Sequence, residues 1–281
     1  MVFVHAPPFS KDDKRAVAAW KILRMALERT RSAYGDFRIE ESSSTLVMKR
    51  QLLSLEVNIE PQINIAFLPV SEADAENGVV PVRIPAYGGL WGYRVFLISD
   101  GSEPKFSNIE SLADLKGVTI GESESWPDTA ILRAAGLQIV TGESYEGLFK
   151  MLAGNRFDAL NRSITEVMQE WRTRSNALAT LKIERHILLH YPMPEYFWFR
   201  DDEQGRRLAH RVQDGLMSMV ADHSLCREVA REFGQDIQDL NLNSRTVIEI
   251  PNPTLGAEDH VGDPAYWCSP LRNSWISPVR H

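Results

Sequence analysis

Hydrophobic and polar positions along the chain switch between a period near two and a period near 3.6, which predicts strands interleaved with helices. Val2 to Ala6 is a short apolar strand that ends at Pro7-Pro8. Asp12 to Tyr34 reads as a helix, with Val17, Trp20, Leu23 and Leu27 three and four apart and Gly35 at its C-terminal stop. A strand at Phe37 to Glu41, a helix at Ser44 to Leu55 and a strand at Ile63 to Leu68 complete one β-α-β-α-β layer. Pro81 and Pro85 disfavour a central strand in the next stretch, whereas Tyr93 to Ser99 is a nearly all-apolar strand.

A second wound block follows. Strands are expected at Val118 to Gly121, Gln138 to Val140 and Phe157 to Leu160, with helices at Pro127 to Ala135, Tyr145 to Ala153 and Ser163 to Arg174. Ile183 to His190 is a further apolar segment, Glu203 to Phe233 holds one or two helices, and Arg245 to Ile250 is a short strand. The proline-rich tail 251–281 has little periodicity and reads as an extended wrap over the surface. The expected architecture is α/β and two-lobed, each lobe a wound, mostly parallel sheet flanked by helices. Lobe 1 takes 1–99 and 190–281, the inserted lobe 2 takes 100–189, and two hinge crossovers join them around a cleft suited to a ligand.

Charge narrows the partners. Lys and Arg number 31 against 38 Asp and Glu, a net charge of −7 with no basic run, so neither nucleic acid nor an anionic membrane surface is an expected partner. No segment approaches the ~18 apolar residues of a membrane span. The N-terminal MVFVHAPPF carries no secretory signal. Either the chain works in the cytosol, or it is a mature periplasmic protein whose signal was replaced by a start Met. Cys226 and Cys268 have no zinc-like spacing, and two readings stand open: unpaired thiols, or a disulfide fastening the tail to the last long helix.

The common catalytic and nucleotide-binding signatures are absent, the seven histidines are scattered, and neither a metal nor a cofactor is expected. Four segments carry candidate chemistry. In GGLWGYR, Trp91 offers an aromatic wall and Arg94 a cationic fork, although a tight turn with an internal ion pair would use the same residues. In GESESWPDTAIL, Ser123, Ser125, Trp126 and Asp128 surround a helix start that could accept an anion or be merely capped. Asn161 and Arg162 follow the strand in LFKMLAGNRFDAL, where open α/β sheets bind ligands; the alternative is a surface Arg162–Glu166 pair worth ~0.5 kcal/mol. In YPMPEYFWF, Tyr191 and Glu195 could face the cleft. Phe9 and Tyr87 complete the candidate ligand contacts.

SLADLKGVTIGESESW and LFKMLAGNRFDAL resemble the entry to the second lobe and the following helix–strand of bacterial extracellular solute-binding proteins of the amino-acid-binding type, family 3-like, with the type II periplasmic-binding-protein fold. GLWGYRVFLI and WPDTAIL extend the resemblance, which covers most of Phe3 to Pro253. It implies a monomeric, non-catalytic binder that captures an amino acid, carboxylate or similar small polar metabolite and delivers it to the permease of an ABC-type transporter. It also implies an Arg of the first lobe that clamps a ligand carboxylate; Arg83 lies at about the expected offset, though the approach to it reads AENGVVPV rather than Ser/Thr-rich. Asn161-Arg162 stands where an acidic residue is usual. A lyase-like enzyme on the same scaffold, using Glu195, Asp128 or Tyr93, and a ligand-sensing module for a signalling partner are the alternatives.

Overall fold

The computed structural model describes residues 1–8, 13–57, 62–70 and 78–271. Its elements in chain order are β1 Val2–His5, α1 Val17–Arg29, α2 Arg31–Tyr34, β2 Arg38–Glu41, α3 Met48–Val57, β3 Ala66–Pro69, β4 Val79–Val82 and β5 Tyr93–Ser99. There follow α4 Leu112–Leu115, β6 Thr119–Ser123, α5 Pro127–Ala134, β7 Gln138–Gly142, α6 Tyr145–Ala153, β8 Ala159–Ser163 and α7 Val167–Arg174. The chain closes with β9 Leu181–Ile183, β10 Ile187–His190, β11 Glu195–Arg200, α8 Glu203–Ala221, α9 Ser224–Asp239 and β12 Thr246–Glu249.

Local chemistry accounts for the boundaries. The first long helix buries Ala18, Ala19, Ile22, Leu23, Ala26 and Leu27, the stripe its spacing predicts, but begins at Val17 rather than near Asp12. Ser144 and Asp202 cap α6 and α8 by accepting the N–H of Gly147 (3.1 Å) and Gly205 (2.7 Å). Pro81 does lie in a strand, yet β4 pairs only with β11, at the edge of the order β3-β11-β4 where a missing N–H is tolerated.

The strands form a parallel pair, β1-β2, and a three-stranded sheet, β3-β11-β4, together termed the first sheet, and a seven-stranded second sheet. In the first, β3 and β4 both run antiparallel to β11, while β1 and β2 pair in parallel. Asn64 and Ile65 donate to the Val4 carbonyl, and the Asn64 side chain bonds the backbone of Val2 and Val4, bringing β1 beside β3. The second sheet has the order β12-β10-β5-β8-β6-β7, with β9 also on β5. There β10, β8 and β9 all run antiparallel to β5, and the remaining pairings are parallel, so β5 alone is reversed. The chain therefore passes from the first sheet to the second between β4 and β5, and returns between β10 and β11.

Strand membership differs from the sequence reading at two places. Tyr93–Ser99, expected with the first lobe, is the central strand of the second sheet, and Thr246–Glu249 pairs there as well. Tyr93–Ser99 is nearly all apolar and fits either sheet by periodicity; the partner is decided by where the crossovers fall. Helices α1, α8 and α9 pack together against the first sheet, where Phe3, Phe197 and Phe199 are fully buried. Phe96, Ile98, Ile120, Ile187 and Leu189 make a core within the second.

The two crossovers touch. Tyr191 donates its N–H to the Gly92 carbonyl at 3.2 Å, and a Cβ on Gly92 would stand 2.1 Å from the Tyr191 carbonyl oxygen, so only glycine permits that approach. Cys226 of α9 and Cys268 of the tail are joined in a disulfide.

Candidate ligand-binding site

Charged side chains converge where the crossovers leave the sheets. Arg94 is the second residue of β5, and Asp128 stands in the first turn of α5, just beyond the carboxyl end of β6. The Arg94 guanidinium meets the Asp128 carboxylate at 2.6 Å, and both are buried. Tyr191 donates its hydroxyl to the same carboxylate, and its ring lies 5.4 Å below the Arg94 guanidinium. Asn161 donates from one amide nitrogen to the Tyr191 oxygen at 3.0 Å and to Glu122 at 2.7 Å. Burial, followed by the neighbouring Asp128, pushes the Glu122 carboxyl well above its ordinary range.

Arg162 lies on the opposite face of β8 from Asn161, because successive strand side chains alternate. Its guanidinium holds Glu166 at 2.7 Å and takes both oxygens of Glu170, at 2.6 and 2.7 Å. Tyr145 donates to Glu170 at 2.5 Å, and the Trp126 ring is 4.8 Å from the guanidinium. The Arg162–Glu166 pair, the alternative to a ligand-holding Arg162, is present, but as part of a buried network rather than a surface pair. The strand also runs later than expected: Ala159–Ser163 includes Asn161 and Arg162 instead of stopping before them.

The first sheet contributes from the other side. Arg15, just ahead of α1, bonds both oxygens of Asp13 at 2.8 Å and places its guanidinium 4.6 Å over the Tyr145 ring. Tyr87, fully buried, fixes this arm by donating to the Arg15 carbonyl (2.9 Å) and accepting the Ala19 N–H (3.0 Å). Met48 and Pro69 from the first side, Trp91 and Met193 from the crossovers, and Trp126, Asp128, Arg162 and Glu166 from the second enclose about 20 Å³ with Arg15 and Arg94. That space admits about one water molecule and no metabolite, so this is a closed geometry, and a solute could enter only if the two sides part. A larger hollow of about 640 Å³, lined by Tyr34, Glu203, Arg206, Arg207 and His210, is open to solvent and gathers no comparable buried network.

Two cavity-lining groups keep an N–H without a partner among the described residues: Nε1 of Trp91 and Nε of Arg94. Glu195, at the start of β11 behind the crossover, accepts the Trp91 backbone N–H at 3.1 Å and leaves its other oxygen unpartnered. Burial pushes its carboxyl up to about 8.

Thus the structure brings together Trp91, Arg94, Trp126, Asp128 and Arg162, with Asn161, Tyr191, Glu195 and Tyr87 immediately behind them. Ser123 and Ser125 bond one another at 3.0 Å in the turn before α5, where the Asp128 carboxylate attracts Arg94 rather than an anion. Arg83 is elsewhere: Asp259 of the tail binds it at 2.5 Å and Glu258 at 3.5 Å, so this guanidinium is drawn away from the cavity. Phe9 lies outside the described residues. Arg15, Met48, Pro69, Met193, Tyr145 and Glu170 escaped sequence reasoning. Among the described residues no cluster of His, Cys, Asp and Glu is placed to hold a metal, and no helix is long and apolar enough to cross a membrane.

Solved structures share this architecture at low identity. An ancestral arginine-binding protein bound to arginine aligns over 83% of this chain and 96% of its own, at 17% identity and a TM-score of 0.56. The GLUR0 ligand-binding core in complex with L-glutamate covers 83% and 97%, at 15% and 0.56. An amino-acid ABC transporter substrate-binding protein from Streptococcus pneumoniae bound to L-arginine covers 78% and 84%, at 13% and 0.54. No family model matches the chain, and no curated protein matches it in sequence. The likeness establishes the fold, that of the two-lobed type II periplasmic binding proteins.

Proposed function

We propose that the chain is a non-catalytic solute-binding protein that closes on a small zwitterionic metabolite, an amino acid or a close analogue, and presents it to an ABC-type importer. One observation carries the reading: complementary charges from both sheets meet at the crossovers around a cavity that still has bonding capacity of both signs. Asp128 and Glu166 line the cavity as acceptors for a cationic group, beside Arg15, Arg94 and Arg162. The free N–H groups of Trp91 and Arg94 offer donors to a carboxylate. Small-molecule sites of this kind combine aromatic walls with a few placed polar groups. The solved structures of this fold, with their bound arginine and glutamate, support the assignment. The disulfide suits an oxidising compartment outside the cytoplasm.

The test is thermal unfolding in the presence of L-amino acids, dicarboxylates and sugars, with calorimetry on any solute that shifts the transition. A ligand at 100 times its Kd adds about 2.7 kcal/mol of stability. An amino acid should shift the midpoint, and Arg94→Ala should abolish that shift. A sugar or dicarboxylate shift alone would overturn the zwitterion, and silence across all three classes would overturn the binding role.

A further inference from the structure

The disulfide does more than close a loop of 42 residues. The tail leaves β12 in the second sheet, where Ile250 donates to the His190 carbonyl at 2.9 Å. Asn252 then bonds the carbonyl of Pro192, inside the second crossover, at 2.9 Å. Asp259, almost fully buried, takes Arg83 at the start of the first crossover and the Tyr196 hydroxyl, at 3.1 Å, in β11. Finally Cys268 donates its N–H to the Gly88 carbonyl at 2.9 Å before its sulfur bonds Cys226 on α9, which packs with α1 and α8 on the first sheet.

The first crossover is shaped to receive this segment. Gly88 and Gly89 both have positive φ, +58° and +75°. A Cβ on Gly88 would meet the Cys268 sulfur at 2.2 Å, and one on Gly89 would meet the Trp267 ring at 2.0 Å. Side-chain-free backbone in a left-handed conformation is what a hinge uses for rotation, and here the tail lies directly on it. A chain of fixed length therefore starts on one lobe, touches both crossovers and is covalently fastened to the other lobe.

We infer that residues 250–268 form a strap across the interlobe joint, and that the Cys226–Cys268 bond, through Trp267 and Cys268 on Gly88-Gly89, limits how far the lobes open. The effect on affinity rests on the binding role proposed above; the mechanical claim does not. The test compares hydrogen exchange of residues 84–93 and 191–194 in the full-length protein and in Cys226→Ser/Cys268→Ser, with no ligand added. Exchange at both crossovers should rise about tenfold or more while the sheet strands keep their protection. L-arginine and L-glutamate serve as probes in parallel; whichever binds should do so about tenfold more weakly in the variant, as the closed population falls.

Trp267→Ala, with the disulfide intact, covers the case in which the cystine-free chain does not fold: exchange at 84–93 should rise severalfold there too. Crossover exchange equal to the parent protein's, in a folded double variant or in Trp267→Ala, would overturn the strap. If exchange rises as expected and neither probe binds any form, the strap stands and it is the solute assignment that has failed.

Discussion

Glu195→Gln should make the protein more stable at alkaline pH and change it little near pH 5. Glu195 is fully buried, its ordinary value is 4.5, and burial raises its carboxyl to about 8, with Arg94 pulling it down and Glu166 pushing it up as lesser influences. Below pH 4.5 the carboxyl is protonated whether the chain is folded or not, and contributes no pH dependence. Between 4.5 and about 8 the unfolded chain gives up this proton and the folded chain keeps it, so stability falls as pH rises. Above about 8 the loss is complete. At ~1.36 kcal/mol per pH decade the interval amounts to roughly 5 kcal/mol, an upper bound because the ionised carboxylate can draw Arg94 or water closer. Glutamine preserves the acceptor for the Trp91 N–H and carries no charge, so it removes the loss. Urea unfolding followed by tryptophan fluorescence at pH 5 and pH 9 measures it directly. The two proteins should agree within about 1 kcal/mol at pH 5, with the variant ahead by several kcal/mol at pH 9. A difference that is the same at both pH values would refute the reasoning, since groups that titrate in both proteins cancel.

Arg94→Ala should cost about 3–5 kcal/mol in the same assay, because it strands the buried Asp128 carboxylate; Arg94→Met with Asp128→Leu should recover most of that loss. Gly92→Ala should cost about 1–3 kcal/mol and lower the thermal midpoint, because the added methyl forces the Tyr191 carbonyl away and separates the crossovers.

Periodicity made the α/β alternation legible, and helix stops such as Gly35 with it, because each rests on contacts between near neighbours in sequence. Sheet membership was less so: Tyr93–Ser99 is apolar on both faces and would suit either sheet. For the site, Trp91, Arg94, Trp126, Asp128 and Arg162 were legible because each stands beside a glycine-rich turn or near the carboxyl end of a strand. The same reasoning would have found Asp13 and Arg15, which follow β1, had their charges not read as the polar first turn of a longer helix. Met48, Pro69 and Met193 carry no chemical signal at all; they line the cavity because folding brings three distant segments together. Arg83 shows the opposite failure. Its offset matched a ligand clamp, but its partner Asp259 lies 176 residues away in a tail without periodicity, and no local pattern announces that pairing.

The division of contacts between the two sides decides how such a site could work. Arg94 with Asp128, and Arg162 with Glu166 and Glu170, join elements of the second sheet and its helices, so parting the lobes leaves every one of these bonds in place. The polar links between the lobes are the Arg15 guanidinium over Tyr145, with Glu166 acting on it at longer range, and the exposed Arg172 of α7 on Asp236 and Asp239 of α9, at 2.6 and 3.3 Å. Opening exposes a half-site whose rotamers are already fixed by its own ion pairs. That half holds Asp128, Glu166 and Glu170 with Arg94 and Arg162, and Arg15 adds its charge near Glu166 only when the lobes meet. A solute that lands there meets a pre-organised surface and forfeits little side-chain entropy in the process. It must still meet the cavity-lining Asp128 and Glu166 and the free N–H groups together, because a buried charge left without a partner costs about 3–5 kcal/mol, a factor of hundreds or more in affinity. Discrimination against solutes that carry only one of the two charges follows from the same ion pairs that hold the half-site rigid.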